Sequence, residues 1–188
     1  MLRIVSIKSL HRTKCGFTLI ELITVIAIVS ILAAMAYPNF KDIIRGSQLR
    51  STASDMTLAL RFARGASVKM NDLVTICRSV DGATCNTQPG FWEDGWIIFR
   101  DRGVAGTVDE DDMILRSYSA TAPGTTLRTG TKLANFITYR NNGTAYVGNM
   151  LGNGTFRVCD HRGKDSGIAI VINNTGRIQS RRGTASCP

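Results

Sequence analysis

The feature that most constrains this chain is a long apolar run close to its N-terminus. Residues 17–37 carry one charged side chain, Glu21, and four Lys/Arg residues with no acid precede the run. As a helix the run reaches about 31 Å, which is enough to cross the hydrocarbon core of a bilayer. Since Lys and Arg stay on the cytoplasmic side, the pattern predicts a membrane-spanning helix with the following domain on the opposite side.

A cleaved signal peptide is the main alternative for this run. Ala34, Met35 and Ala36 form an A-x-A pattern that suits signal peptidase. Two observations oppose it. The run is longer than the usual apolar region of about 7–15 residues. A carboxylate buried there without a partner also costs about 2–3 kcal/mol, so Glu21 points to a function.

The segment GFTLIEL, residues 16–22, resembles the prepilin leader motif of type IV pilins and type II secretion pseudopilins. This resemblance implies that a prepilin peptidase cuts between Gly16 and Phe17 and that the new N-terminus is methylated. It also implies that Glu21, the fifth residue after the cut, pairs with the N-terminal amine of a neighbouring subunit. Such a pair relieves two costly buried charges at once and favours one stagger between subunits.

Beyond the apolar run the pattern predicts an α+β fold. Apolar residues recur at spacings of three and four up to about Lys69, which indicates an amphipathic helix packed on the domain that follows. Its stripe is Phe40, Ile43, Ile44, Leu49, Ala53, Met56, Leu60 and Ala63. The predicted strands are 73–78, 95–100, 113–118, 136–140, 155–159, 168–172 and 177–179. Turns of the hairpin type are expected at 140–144 and 173–177, where Asn and Gly suit a positive φ.

The predicted organisation is therefore a leader at 1–16, a transmembrane helix at 17–37, an amphipathic helix at 38–70 and an antiparallel β-rich domain at 71–188. Several later segments resemble FimT/FimU-type minor pilins and GspH-type pseudopilins, and they occur in that family's order. They are LALRFARGASVKMNDLVTIC (58–77), DGWIIFRDRG (94–103), DEDDMILR (109–116), FRVCDHRG (156–163) and NNTGRIQ (173–179).

The cysteines suit an oxidising compartment. Removal of the leader would take away Cys15 and leave four cysteines, Cys77, Cys85, Cys159 and Cys187. Four cysteines allow three pairings, and the sequence alone does not choose between them. Local pairing, Cys77 with Cys85 and Cys159 with Cys187, is the expectation, with a structural role.

The sequence contains no motif typical of an enzyme or of a cofactor site, so we expect neither catalysis nor a cofactor. There is no nucleophile–base pair, no metalloprotease helix and no phosphate-binding loop. The cysteines and the two histidines lack zinc-site spacing. The acidic segment 101–112 offers oxygens for a hard cation, but Arg102, Val104 and Ala105 interrupt the ligand pattern, so a solvated loop is expected.

Charge is divided unevenly along the chain. Residues 17–112 have nine Lys/Arg against twelve Asp/Glu, whereas residues 113–188 have ten against two. In the basic part, Arg177, Arg181 and Arg182 form a candidate site for duplex DNA, because arginine forks bind phosphate without reading sequence. Gly176 and Arg177 resemble the Gly-Arg-x-Arg motif of DNA-capturing FimT-type pilins, although Gln179 replaces the second arginine.

The resemblance implies a non-enzymatic minor pilin of a type IV pilus as the first function. Its expected partners are prepilin peptidase, other minor pilins and major pilins. Its expected location is the inner membrane, and later the pilus fibre or tip. Two alternatives stay open, a DNA-binding pilin for natural transformation and a GspH-type minor pseudopilin of type II secretion.

Overall fold

The structure, a computed structural model, describes residues 16–183 and 185–187; the side chains of residues 35–39 lie outside that description. The predicted leader therefore lies outside the described residues, except for Gly16. Contacts divide the chain into two units, Met1–Lys41 and Asp42–Pro188.

The predicted α+β class is confirmed. One helix, α1, covers Leu19–Met70. The strands are β1 Val74–Arg78, β2 Trp96–Arg100, β3 Met113–Tyr118, β4 Thr126–Thr129, β5 Phe136–Tyr139, β6 Ala145–Val147, β7 Met150–Leu151, β8 Gly154–Cys159, β9 Ile168–Ile172 and β10 Ile178–Arg182. Short 3₁₀ turns occur at Trp92–Asp94 and Thr131–Leu133.

The strands form two antiparallel sheets. The larger has the order β3-β2-β1-β5-β6-β7, and the smaller has the order β10-β9-β8-β4. In the larger sheet Met113 pairs with Arg100, Arg100 with Val74, and Val74 with Tyr139. These four residues therefore form one row across the sheet, at the end where β1 begins.

The first unit carries an apolar helical surface that its own residues do not cover. Phe17 is 84% exposed, and the large apolar side chains of α1 up to Leu32 are exposed as well. Among the residues that the structure describes, no helix meets the length and apolarity needed to cross a membrane.

The core of the second unit joins the helix to both sheets. Leu49, Met56 and Leu60 are fully buried, and the alanines between them let the sheets approach α1 closely. The apolar face of each sheet completes the cluster, which includes Ile76, Ile98, Ile137, Phe156 and Ile170. The apolar stripe predicted from the sequence is thus buried only from Leu49 onward.

Three members of that stripe, Phe40, Ile43 and Ile44, remain exposed. The expectation that the whole stripe packs on the domain is wrong for Ile43 and Ile44, which belong to the second unit. Periodicity of this kind shows which side chains share a helix face, but it does not show where along the helix the covering sheet begins.

Two disulfides cross-link the second unit, Cys77–Cys85 and Cys159–Cys187. The second ties the C-terminal segment to β8, and Cys159, Ala169 and Ala185 pack there as a small separate cluster. Gly167 makes this possible, because a Cβ at that position would lie 2.6 Å from the Cys187 sulfur.

The apolar core side chains lie between Leu49 and Ala185, and both disulfides close within the same unit. Residues 42–188 therefore have the core and the cross-links of an independently folding domain.

Candidate assembly site and basic pocket

The first candidate site is the start of α1, where Gly16, Phe17 and Thr18 precede the helix. The Thr18 hydroxyl accepts a hydrogen bond of 3.3 Å from the Glu21 backbone N–H. A threonine followed three residues later by glutamate is the pattern of a helix N-cap, in which the side chain satisfies a free backbone donor. This role of Thr18 was not predicted, although its spacing of three residues from Glu21 indicates it.

The Glu21 side chain is the only acid of the run, and it lies on an apolar surface. It is exposed, as are its neighbours Ile20 and Leu22. Within the described residues its carboxylate has no hydrogen bond and no ion pair. Both carboxylate oxygens can therefore accept from a cation of another molecule, and a covered apolar surface would strengthen that attraction.

The second candidate site is a basic pocket of about 530 Å³. It lies between α1 and the turns at 140–144 and 173–177. Its four cations are Arg61, Arg64, Lys69 and Arg177. Val68 and Ile178 supply apolar wall, and no acidic side chain lines it. A pocket of this composition attracts anionic groups and also offers contact to apolar ones.

Arg64 connects the two turns of the pocket. Its Nε donates to the Gly143 carbonyl at 3.0 Å, and its Nη2 donates to the Thr175 carbonyl at 3.1 Å. The turns also touch directly, because a Cβ at Gly176, where φ is 73°, would overlap the Gly143 carbonyl oxygen. Glycine at 176 is thus required both by backbone conformation and by space.

The three arginines proposed for DNA binding do not share one location. Arg177 precedes β10 and lines the basic pocket. Arg181 and Arg182 are exposed at the end of β10, and Arg181 donates to Gln179 at 3.4 Å on the same strand face. The structure thus groups Arg177 with cations of α1, which the linear sequence places more than a hundred residues earlier.

The acidic segment folds largely around its own backbone. The Asp109 carboxylate accepts from the Val104 N–H at 2.7 Å, and Asp112 accepts from the Arg102 and Asp109 N–H groups. Asp101 is buried, and this burial raises the pKa of its carboxyl above the ordinary value.

No group of three or more potential metal ligands occurs in the described part of the chain. His161 lies beside Arg45 at 3.2 Å on the surface of the second unit.

We predict that Gly176→Ala destabilises the second unit more than Gly163→Ala does. Both glycines have positive φ, so each substitution costs about 1 kcal/mol of backbone strain. Only Gly176 faces an obstacle, whereas a Cβ at Gly163 meets nothing within 4 Å. The overlap of this Cβ with the Gly143 carbonyl oxygen should lower the free energy of unfolding of Gly176→Ala by a further amount of about 1–3 kcal/mol.

Urea denaturation of residues 42–188 measures the difference between the two variants. Equal losses in both would mean that the contact between the two turns does not constrain position 176.

Comparison with known proteins finds two matching family models. The family model described as "Type II transport protein GspH" matches residues 52–176, and that of the prokaryotic N-terminal methylation motif matches residues 11–37. Two curated relatives, each named "Fimbrial protein" and from Pseudomonas aeruginosa, are 37% identical over 64 residues, which is 34% of this chain. The match spans only 42% of the length of these relatives.

Two crystal structures of the type IV minor pilin FimU from Pseudomonas aeruginosa share the fold. Both are 22% identical in sequence; their TM-scores are 0.57 and 0.55. The alignments cover 73% and 71% of this chain and 90% and 93% of the FimU chains. Because the GspH model alone matches most of the chain, the protein belongs to the GspH family of type IV pilin-like minor pilins and pseudopilins.

Proposed function

We propose that the protein is a minor pilin of a type IV pilus that joins other pilins during assembly or priming, or in a tip complex. Prepilin peptidase removes residues 1–16, and Phe17 becomes the methylated N-terminus. The observation that carries the proposal is Glu21, a carboxylate that has no partner among the described residues and lies on an exposed apolar helix. The match of the N-terminal methylation motif to residues 11–37 supports it.

The chemistry of assembly follows from this one charge. When helices pack together, Glu21 loses water and needs a positive partner to offset that loss. The ammonium group of Phe17 on a neighbouring subunit supplies it, since cleavage after Gly16 creates this charge on the same helix. Pairing favours the stagger in which the two charges meet, so the interaction selects the register between subunits.

The membrane role of residues 17–37 rests on their sequence. The run continues beyond Ala34 into residues whose side chains lie outside the described part. Before assembly, residues 17–37 are inserted in the inner membrane and residues 42–188 lie on the periplasmic side. Lipid or neighbouring helices then cover the apolar surface of residues 17–37.

We predict that Glu21→Gln strongly reduces incorporation into pili while the protein still accumulates. Glutamine keeps the size of the side chain and can serve at the same position of a helix cap, so the change removes the charge alone. Loss of the pair should lower incorporation at least tenfold, measured by immunoblotting sheared pili against whole cells.

Asp42→Ala is the matched control, because Asp42 is an exposed carboxylate of the same helix whose ion pair with Arg45 is a surface contact. This control should incorporate normally. Normal incorporation of Glu21→Gln would eliminate the pairing role and, with it, the basis of the proposal.

A minor pseudopilin of type II secretion is a second candidate, and the match to the GspH model favours it. The two roles use the same fold and the same N-terminal chemistry. Deletion of the gene distinguishes them, because a pilus subunit reduces surface pili whereas a pseudopilin reduces export of secreted enzymes.

A DNA-binding pilin for natural transformation is a third candidate, favoured by the basic pocket that contains Arg177. Phosphate groups suit arginine donors, and such binding depends on salt rather than on base sequence.

If this role is correct, the Arg177→Ala/Arg181→Ala/Arg182→Ala variant should bind duplex DNA weakly. Loss of three phosphate contacts reduces the slope of log K against log salt by about 2.7. A control that removes three charges elsewhere, Lys132→Ala/Arg157→Ala/Lys164→Ala, should keep the slope. Titration of residues 42–188 at several salt concentrations gives the result, and equal slopes would exclude these arginines as the site.

A further inference from the structure

One end of the larger sheet carries acidic residues on one side and basic residues on the other. The row formed by Met113, Arg100, Val74 and Tyr139 marks this end. The acidic residues 109–112 directly precede Met113, and the pocket turn at 140–143 directly follows Tyr139. Three strand spacings separate the two sides, about 14 Å in total. We call the surface at this end of the sheet the end face.

The acidic side of the end face presents two carboxylates to solvent. Glu110 and Asp111 are exposed, and neither carboxylate has a hydrogen bond or ion pair within the described residues. Asp109 and Asp112, in contrast, are held by backbone N–H groups of the loop. Asp109 and Asp112 thus hold the loop backbone, whereas Glu110 and Asp111 remain exposed.

The basic side presents the cations of the pocket. Arg61, Lys69 and Arg177 are exposed, and their side chains have no partner in the described part of the chain. Arg64 has a different function, because it holds the two turns in place. Three exposed cations without a partner in the described part of the chain therefore accompany one cation that is held by two carbonyls.

Apolar side chains accompany the charges at this end. Leu73 precedes β1 in the middle of the row, and Val104 and Met113 lie on the acidic side, with exposures of 37%, 67% and 45%. Val68, 53% exposed, lines the basic pocket. Exposed apolar groups between charged groups are the composition of a protein interface, whereas a nucleic acid backbone offers little to cover them.

We propose that the end face binds the end face of a second copy of this chain. A surface with an acidic and a basic side about 14 Å apart becomes complementary to itself after a rotation of 180°. In that arrangement Glu110 and Asp111 of each copy enter the basic pocket of the other, and the apolar side chains meet between the two pockets. The contact closes as a dimer and needs neither leader cleavage nor Glu21.

Charge-reversal variants test whether two end faces bind each other. They are made in residues 42–188, because this part of the chain has its own core and its own disulfides. The acid-reversed variant is Glu110→Lys/Asp111→Lys, and the base-reversed variant is Arg61→Glu/Arg177→Glu. Sedimentation velocity at low salt should show dimers for the original sequence and monomers for each variant alone. An equal mixture of the two variants should dimerise again. In the mixed dimer the new lysines of one variant face the new glutamates of the other, and the unchanged acids face the unchanged arginines.

A variant with the same charge change elsewhere, Arg50→Glu/Lys164→Glu, is the control and should dimerise normally. Arg50 lies about 28 Å from Lys69 along α1, and Lys164 lies in the connection from β8 to β9, away from the pocket turns. Raising the salt concentration should weaken the dimer about tenfold or more, since the exposed charges become screened.

Zero-length cross-linking of carboxylates to lysines gives a second readout. In a mixture of isotope-labelled and unlabelled protein, Lys69 of one copy should link to Glu110 or Asp111 of the other. Lys69→Arg should remove this link and keep the dimer, because it preserves the charge.

Monomers at all concentrations would overturn the proposal, as would a variant mixture that stays monomeric. Binding of duplex DNA through Arg61 and Arg177 without self-association would assign the basic side to nucleic acid and would overturn the proposal as well.

Discussion

The burial of one face of α1 between the two sheets is the constraint on which the second unit depends. Leu49, Met56 and Leu60 fill the space between the sheets, and Ala53, Ala59 and Ala63 are small enough to let strands approach the helix. Because the helix occupies this place, its outer face forms one wall of the basic pocket, and the turns after β5 and β9 form the other. A change in how α1 packs would alter the pocket even if every surface residue were kept.

The two candidate sites share charged side chains that form no ion pair among the described residues. Glu21 is a single carboxylate on an apolar helix, and the basic pocket collects four cations with no acid in its lining. A charge on an apolar surface and a cluster of like charges would both be stabilised by a partner of opposite charge, and we propose such a partner for each site. The first site lies on an exposed helix, and the second lies on the surface of the domain.

The elements with strong local patterns could be predicted from the sequence. Strands β3 and β9 have the predicted bounds, because apolar runs with clear turn residues define them. Strands β4, β6 and β7 were missed. Strand β4 is mostly polar, and β6 and β7 have only three and two residues between glycine-containing turns. Such short segments carry no alternating pattern of their own and become strands because a neighbouring strand supplies hydrogen bonds.

The candidate sites, too, could be predicted only where their residues are contiguous in the sequence. The segment from Gly16 to Glu21 is contiguous, so its motif is visible in the sequence. The basic pocket joins Arg61 and Arg64 to Arg177, and only the approach of two turns brings them together. Gly143 and Gly176 were predicted as turn residues, but their mutual contact depends on the way the sheets pack around α1.

The proposed role of Glu21 requires cleavage of the N-terminal segment, because this step places a positive charge on the same helix. The most direct measurement is the intact mass and N-terminal sequence of the protein purified from its native membranes. We predict a chain that begins at Phe17 and carries one additional methyl group. A chain that begins after Ala36, or one that retains residues 1–16, would contradict it.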